Sequence, residues 1–310
     1  MIAHEFVTRD GTGLLVRGTG PRDAPATLVL VHAWTQDHTE WDPILPWLPR
    51  EARVLRYDHR GHGGSAPATG GTATVAQLAD DLAELVAAAV PAGQLVLAGH
   101  SMGGMTVMAL AERHPELVAE RVAGVAFIAT SCADLDRVTL GLGGAAGRVA
   151  ARVDKALGRR LARYGKDSIP LPPALAGPAL RWLAFGDRAA RADVRAMSRQ
   201  VLRAHPNSVA GFRDSMSQHD RRAALATLRD KPAVIMAGDR DRLTPLSHAR
   251  AIAAELPHAE FVCYPGAGHE LTYERAYSVA RRLSDLVRPV LAAGAAAGTR
   301  PRSLATPASR

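Results

Sequence analysis

The sequence predicts an α/β fold in which helices cover both faces of a mostly parallel sheet. Two patterns carry that expectation. Short, nearly continuous apolar runs, such as Thr27-Leu28-Val29-Leu30-Val31-His32 and Gln94-Leu95-Val96-Leu97-Ala98-Gly99, have the character of strands buried on both sides. Stretches rich in alanine and leucine alternate with such runs, and this rhythm with right-handed crossovers builds a sheet between two helical layers.

In chain order, residues 4–9 and 14–17, separated by Asp10-Gly11-Thr12-Gly13, predict an opening hairpin. The first apolar run follows as a strand. Residues 74–90, with acids at Asp80, Asp81 and Glu84, predict a helix that Pro91 stops. The second apolar run leads straight into a helix over 102–114, ended by Pro115. Residues 122–129 predict another strand. The rhythm breaks after Thr130 and returns at Pro232-Ala233-Val234-Ile235-Met236-Ala237-Gly238, followed by a helix over 246–256. Glu260-Phe261-Val262-Cys263-Tyr264 predicts the last strand, and a final helix is expected over 271–291. Residues 293–310, rich in Gly, Ala, Ser, Thr, Pro and Arg without apolar period, predict a disordered tail.

Composition narrows the class. With 47% hydrophobic and 22% charged residues, a 310-residue chain can bury a sizeable core without staples. Its two cysteines, Cys132 and Cys263, lie far apart and outside any C-x-x-C or Cys/His spacing, which predicts two buried thiols rather than disulfides or structural zinc. The start, Met1-Ile2-Ala3-His4-Glu5-Phe6, has no basic region leading into an apolar run. No segment approaches roughly 18 unbroken apolar residues, so a cytoplasmic protein is expected. The net charge is +8, and residues 131–217 alone, with 15 Lys+Arg against 7 Asp and no Glu, hold a surplus of that size. The rest of the chain is balanced, and a surplus placed in a stretch with few aromatics and no recognised binding module argues against a nucleic-acid partner.

The sharpest motif is Gly99-His100-Ser101-Met102-Gly103, a G-x-S-x-G between a predicted strand and a predicted helix. Such a turn strains the serine and exposes its hydroxyl, and Gly99 and Gly103 leave room where strand and helix meet. The pentapeptide also occurs as a plain glycine-rich βα turn; its placement here favours the functional reading. A serine hydroxyl needs a base, and twelve histidines are available. Gly11-Thr12-Gly13 and Gly141-Leu142-Gly143-Gly144 are too isolated to cradle phosphate, and no H-E-x-x-H or P-loop occurs, so neither metal nor cofactor is expected.

Two further loops join the elbow: Val31-His32-Ala33-Trp34, and Tyr57-Asp58-His59-Arg60-Gly61-His62-Gly63-Gly64-Ser65. With them the chain resembles α/β-hydrolase-fold enzymes over residues 1–292. The resemblance implies an eight-stranded sheet, a core of residues 1–130 and 218–292, and a helical cap, residues 131–217, inserted after strand six. It implies the chain order serine, acid, histidine: Ser101 as nucleophile, Asp241 in Gly238-x-x-Asp241-x-x-x-Pro245 as acid, and His269 in Gly266-Ala267-Gly268-His269-Glu270 as base. Asp239 is the local rival to Asp241, and Asp134 or Asp136 stands where some relatives keep the acid. Backbone N–H groups of Trp34 and Met102 would form the oxyanion hole, with His32 bracing its loop. Ala33 departs from the glycine common at its position. His100, His59 and His62 are read as structural, as is His219-Asp220.

The implied reaction is acyl transfer through an acyl-serine, on a carboxylic ester, thioester or lactone. The same machinery serves acyltransferases, biosynthetic cyclases and C–C hydrolases, and the fold also hosts non-catalytic binding proteins. Val149, Val153, Leu157 and Leu161, surrounded by arginines, predict a basic amphipathic helix, read as packing over the pocket in preference to a membrane surface. Arg191, Arg195, Arg199 and Arg203 repeat at four-residue spacing, so an anionic or lipid-like acyl substrate is a candidate partner.

Overall fold

In the computed structural model, which describes residues 2–140, 168 and 171–298, the expected hairpin opens the fold. β1 (Ile2–Val7) pairs antiparallel with β2 (Gly13–Thr19), Val7 lying opposite Gly13. Six more strands follow: β3 (Ala26–Val31), β4 (Arg53–Tyr57), β5 (Gln94–His100), β6 (Val122–Ile128), β7 (Ala233–Gly238) and β8 (Glu260–Tyr264). They form one sheet in the order β1-β2-β4-β3-β5-β6-β7-β8, antiparallel as far as β2/β4 and parallel thereafter. This is the mostly parallel, eight-stranded arrangement that the sequence predicts.

Side chains alternate across a strand, and the continuous apolar runs therefore feed two cores at once. Val29 and Val31 of β3, Leu95 and Leu97 of β5, and Phe127 of β6 pack on one face. There they meet α1 (Val75–Ala89), α2 (Met102–Arg113), α3 (Pro115–Arg121) and, further along the chain, the helix at Leu246–Glu255. Leu28, Leu30, Val96, Ala98 and Ile128 point the other way, onto Trp41, Ile44 and the C-terminal helix. α1 starts where Thr74 accepts the N–H of Gln77 at 3.1 Å, a side-chain N-cap. Pro115 ends α2, as expected, but also opens α3, because a proline at the first helical position forfeits only an N–H that has no partner there.

Between β6 and β7 the described residues form α4 (Pro173–Ala184), α5 (Arg191–Arg203) and α6 (Pro206–Ser217). Ala184, Phe185, Val194 and Met197 gather there in a small cluster of their own. On α5, Val194 and Met197 are buried while Arg191, Arg195 and Arg199 are exposed, so the arginine stretch is an amphipathic helix. Gly141 to Gly144, the Val149-to-Leu161 stretch and the Ile169-Pro170 break lie outside the described residues.

The helix at Leu246–Glu255 is α7, and β8 closes the sheet. The expected last helix is two: α8 (Leu271–Glu274) and α9 (Ala276–Gly298), broken at Arg275, whose φ of −136° is not helical. α9 runs past Leu291 into the segment expected to be disordered, since Ala292-Ala293-Gly294-Ala295-Ala296-Ala297 has high helix propensity. Only one of the two thiols is buried: Cys132 is enclosed, whereas Cys263 is exposed on β8, an edge strand with an open face. Among the described residues, no helix is long and apolar enough to cross a membrane.

Candidate active site

Ser101 sits between the end of β5 and the first turn of α2, with φ 51° and ψ −116°, a conformation that non-glycine residues rarely hold. Its neighbours fix it there. Its N–H donates to the Ile128 carbonyl at 2.9 Å, and its own carbonyl accepts the Thr130 hydroxyl at 2.7 Å and the Gly104 N–H at 2.9 Å. A Cβ on Gly99 would collide with the backbone of Gly103 and Gly104, and one on Gly103 with the Val31 carbonyl, so both positions require the smallest residue.

Asp241 lies three residues beyond β7, with its side chain fully buried. One carboxylate oxygen accepts the N–H groups of Leu243 and Thr244, each at 2.8 Å. The other accepts the Thr244 hydroxyl at 2.8 Å and lies 2.8 Å from His269 Nδ1. Burial alone would raise this carboxyl's pKa; His269 and the Thr244 donors outweigh it and hold it below the usual value. Two of the rival acids are engaged elsewhere: Asp239 accepts the Gly266 N–H at 2.7 Å, and Asp134 pairs with Arg222 and Arg137.

His269 lies in the loop between β8 and α8, and its N–H donates to the Ala184 carbonyl at 2.7 Å. Among the described residues no hydrogen bond joins its ring to the Ser101 hydroxyl. The elbow reaches it through His100 instead: the two rings are 5.0 Å apart, and His100 Nε2 is 3.0 Å from the His269 carbonyl oxygen.

The N–H groups of Trp34 and Met102 flank the same edge, the first in the loop after β3 and the second opening α2. Among the described residues neither donates to a protein acceptor. Trp34 is pinned by its indole, which donates to the Val209 carbonyl of α6 at 3.1 Å, and Thr35 turns the loop with φ 64°. Ala33 fits: its N–H donates to Glu40 Oε2 at 3.0 Å, and its carbonyl accepts from His32 Nδ1 at 2.7 Å. His32 Nε2 in turn accepts the His59 N–H at 2.8 Å, so the ring carries its proton on Nδ1 and ties the two loops together.

The chain matches the family model of the α/β hydrolase fold over residues 26–276. It belongs to the α/β-hydrolase family. This α/β hydrolase is 28% identical over 275 residues to a pimeloyl-[acyl-carrier protein] methyl ester esterase of Aromatoleum aromaticum, covering 84% of this chain and 98% of that one. It is 26% identical over 287 residues to a bifunctional esterase/perhydrolase of Acinetobacter calcoaceticus, covering 91% and 98%. Among solved structures, a thermophilic esterase from Thermogutta terrifontis superposes with a TM-score of 0.74 at 25% identity, covering 94% of this chain and 99% of that one.

Several residues packed around His100 and His269 were not singled out in the sequence. Glu40 and Glu270 are both fully buried beside the His100–His269 contact, and Gln36 donates to both oxygens of Glu270 at 2.8 and 2.9 Å. Glu270 had one available signal, its place directly after His269; Glu40 had none. His219 accepts from Arg221 at 2.9 Å and Asp220 pairs with Arg222 at 2.8 Å, so they form no dyad. Metal-type donors gather at Asp37, His38 and Asp58, but the carboxylate oxygens there already accept from Thr39, Arg203, His38 and Gly64.

Proposed function

We propose that this α/β hydrolase is a serine hydrolase that cleaves carboxylic esters through an acyl-serine, with Ser101 as nucleophile, His269 as base and Asp241 as the acid that orients it. The observation that carries the reading is the buried Asp241–His269 hydrogen bond at the same sheet edge as a serine held at φ 51°. Ser101 Oγ attacks the ester carbonyl and its proton passes to His269 Nε2, while Asp241 stabilises the imidazolium. The oxyanion meets the N–H groups of Trp34 and Met102, the second aided by the positive end of α2. His269 then protonates the departing alcohol, and water attacks the acyl-serine by the reverse route.

Residues 131–217 form the cap in this reading, and their contact with the site is direct, since Ala184 accepts the N–H of His269. The esterase names of two relatives, each covered over nearly its whole length, support an ester as substrate. The exposed row of Arg191, Arg195 and Arg199 favours acyl substrates that carry an anionic group.

A fluorophosphonate probe tests the nucleophile, and a panel of p-nitrophenyl esters, thioesters and lactones tests the substrate class. Labelling and turnover are expected in the wild type and lost in Ser101→Ala; an intact, unlabelled wild type would overturn the assignment. Matched neutral and anionic esters compared across ionic strength read the cap, with a salt-sensitive preference for the anionic ester expected.

A further inference from the structure

The oxyanion loop, the elbow and the base loop are joined by one continuous buried line of polar groups. Glu40 Oε2 accepts the Ala33 N–H at 3.0 Å, Glu40 Oε1 lies 3.3 Å from His100 Nδ1, and His100 Nε2 lies 3.0 Å from the His269 carbonyl oxygen. Glu40 and His100 are wholly shielded from solvent. The line thus runs from the residue preceding Trp34, through the residue preceding Ser101, to the backbone of His269.

Counting protons along it places two on the Glu40–His100 pair. A carbonyl oxygen only accepts, so His100 Nε2 carries a proton. Nδ1 faces a carboxylate oxygen, so a second proton lies between them. An imidazolium on a carboxylate satisfies every contact, and the raised pKa of His100, about 9, favours it over a neutral imidazole and carboxylic acid sharing the same proton.

We propose that Glu40 and His100 are a positioning pair whose shared proton holds the oxyanion loop and the base loop at their working separation. The inference rests on the reading of Ser101 and His269 as nucleophile and base. It adds two residues that touch no reacting atom and act through the backbone of groups that do. Burial would lower the His100 pKa, but the carboxylates of Glu40 and Glu270 and the His269 carbonyl raise it to about 9. Those groups, from the 38–41 turn and from the loop ahead of α8, together with the His269 ring, are the titratable neighbours that face it among the described residues.

Above that pH the shared proton leaves. The remaining one then goes to Nδ1, opposite Glu40, and Nε2 turns a lone pair on the His269 carbonyl. The base loop loses its tether, and an alkaline limb near pH 9 follows.

Glu40→Gln separates charge from packing. Its amide can donate to a neutral Nδ1 and still accept from Ala33, which keeps Nε2–H on His269 at every pH. His100→Leu removes the line outright. Two measurements are made on both variants and the wild type: the pH dependence of Ser101 phosphonylation and ester turnover, and the nitrogen spectrum of ¹⁵N-labelled histidine.

The wild type is expected to keep a doubly protonated His100 to about pH 9 and to lose kcat/KM above it. Glu40→Gln should lose a few-fold in kcat, show a neutral His100 at pH 7 and lack the alkaline limb. His100→Leu, where it folds, should lose about 100-fold in kcat with KM within about threefold, the signature of a displaced catalytic group. An unchanged alkaline limb in Glu40→Gln, or a neutral His100 in the wild type at pH 7, would overturn the pair whether or not His100→Leu folds. A wild type that never labels at Ser101 would overturn the nucleophile instead, and with it the pair's purpose, while the nitrogen spectrum still reads its charge.

Discussion

Asp241 shows how much one carboxylate decides. Its first oxygen accepts two backbone N–H groups and its second faces His269 Nδ1, so an amide in its place has one sensible orientation: oxygen toward the backbone donors, NH₂ toward the imidazole. An NH₂ there leaves Nδ1 as acceptor and moves the ring proton to Nε2, where it blocks proton uptake from Ser101. Asp241→Asn is therefore expected to fold normally and to lower kcat by about 10⁴-fold, measured by single-turnover acylation; a loss under tenfold would count against the assignment. The sequence could favour Asp241 over Asp239 as the proposed acid because glycine and proline spacing resembles a family pattern. Thr244, which donates to the acid twice, was not, because a threonine hydroxyl acquires meaning only once the chain has turned back on itself.

At the scale of elements, the loop after β4 is locked to its surroundings by Arg60, a fully buried guanidinium. It grips both oxygens of Asp81 on α1, at 2.6 and 2.7 Å, and reaches Asp10 in the opening hairpin turn at 2.8 Å. Burial raises the Asp81 carboxyl even against the pull of Arg60, which marks a pair costly to leave half made. Arg60→Met should destabilise the fold by about 3–5 kcal/mol, read by urea unfolding. Asp81→Leu in that background should recover much of the loss, because the unpaired buried charge is then gone. Additive losses in the double variant would rule this account out. Strands β3, β5, β7 and β8 and helices α1 and α2 could be read from the sequence nearly to the residue, since apolar runs and prolines are local signals. The break at Arg275 and the double use of Pro115 could not, because each depends on where the next element must dock. The elbow was legible in part for the opposite reason: Gly99 answers a local demand from the backbone of Gly103 and Gly104, although Gly103 answers the Val31 carbonyl of β3.

For the whole molecule, the pairing of buried imidazoles on the two sides of neutrality sets a stability curve. His62 and His219 are pushed down to about 3, by burial first, with the Arg221 guanidinium adding to it at His219, and His59 is also held well below the ordinary 6.5. Native rings that refuse a proton that the unfolded chain accepts are favourable above pH 6.5, and their contribution drains away as the pH falls from there toward 3. His100 works in the opposite sense: raised to about 9, it contributes fully below pH 6.5 and is lost as the pH climbs to 9. Stability should therefore peak just above pH 6.5 and fall on either side, with each group contributing a slope of up to about 1.4 kcal/mol per pH unit. Urea unfolding at fixed ionic strength between pH 5 and pH 9 measures it. His62→Leu should flatten only the acid limb and Glu40→Gln only the alkaline one, since their imidazoles titrate in separate windows. A curve flat across that range, or one in which either substitution flattens both limbs, would mean that these rings exchange protons alike in the folded and unfolded chain.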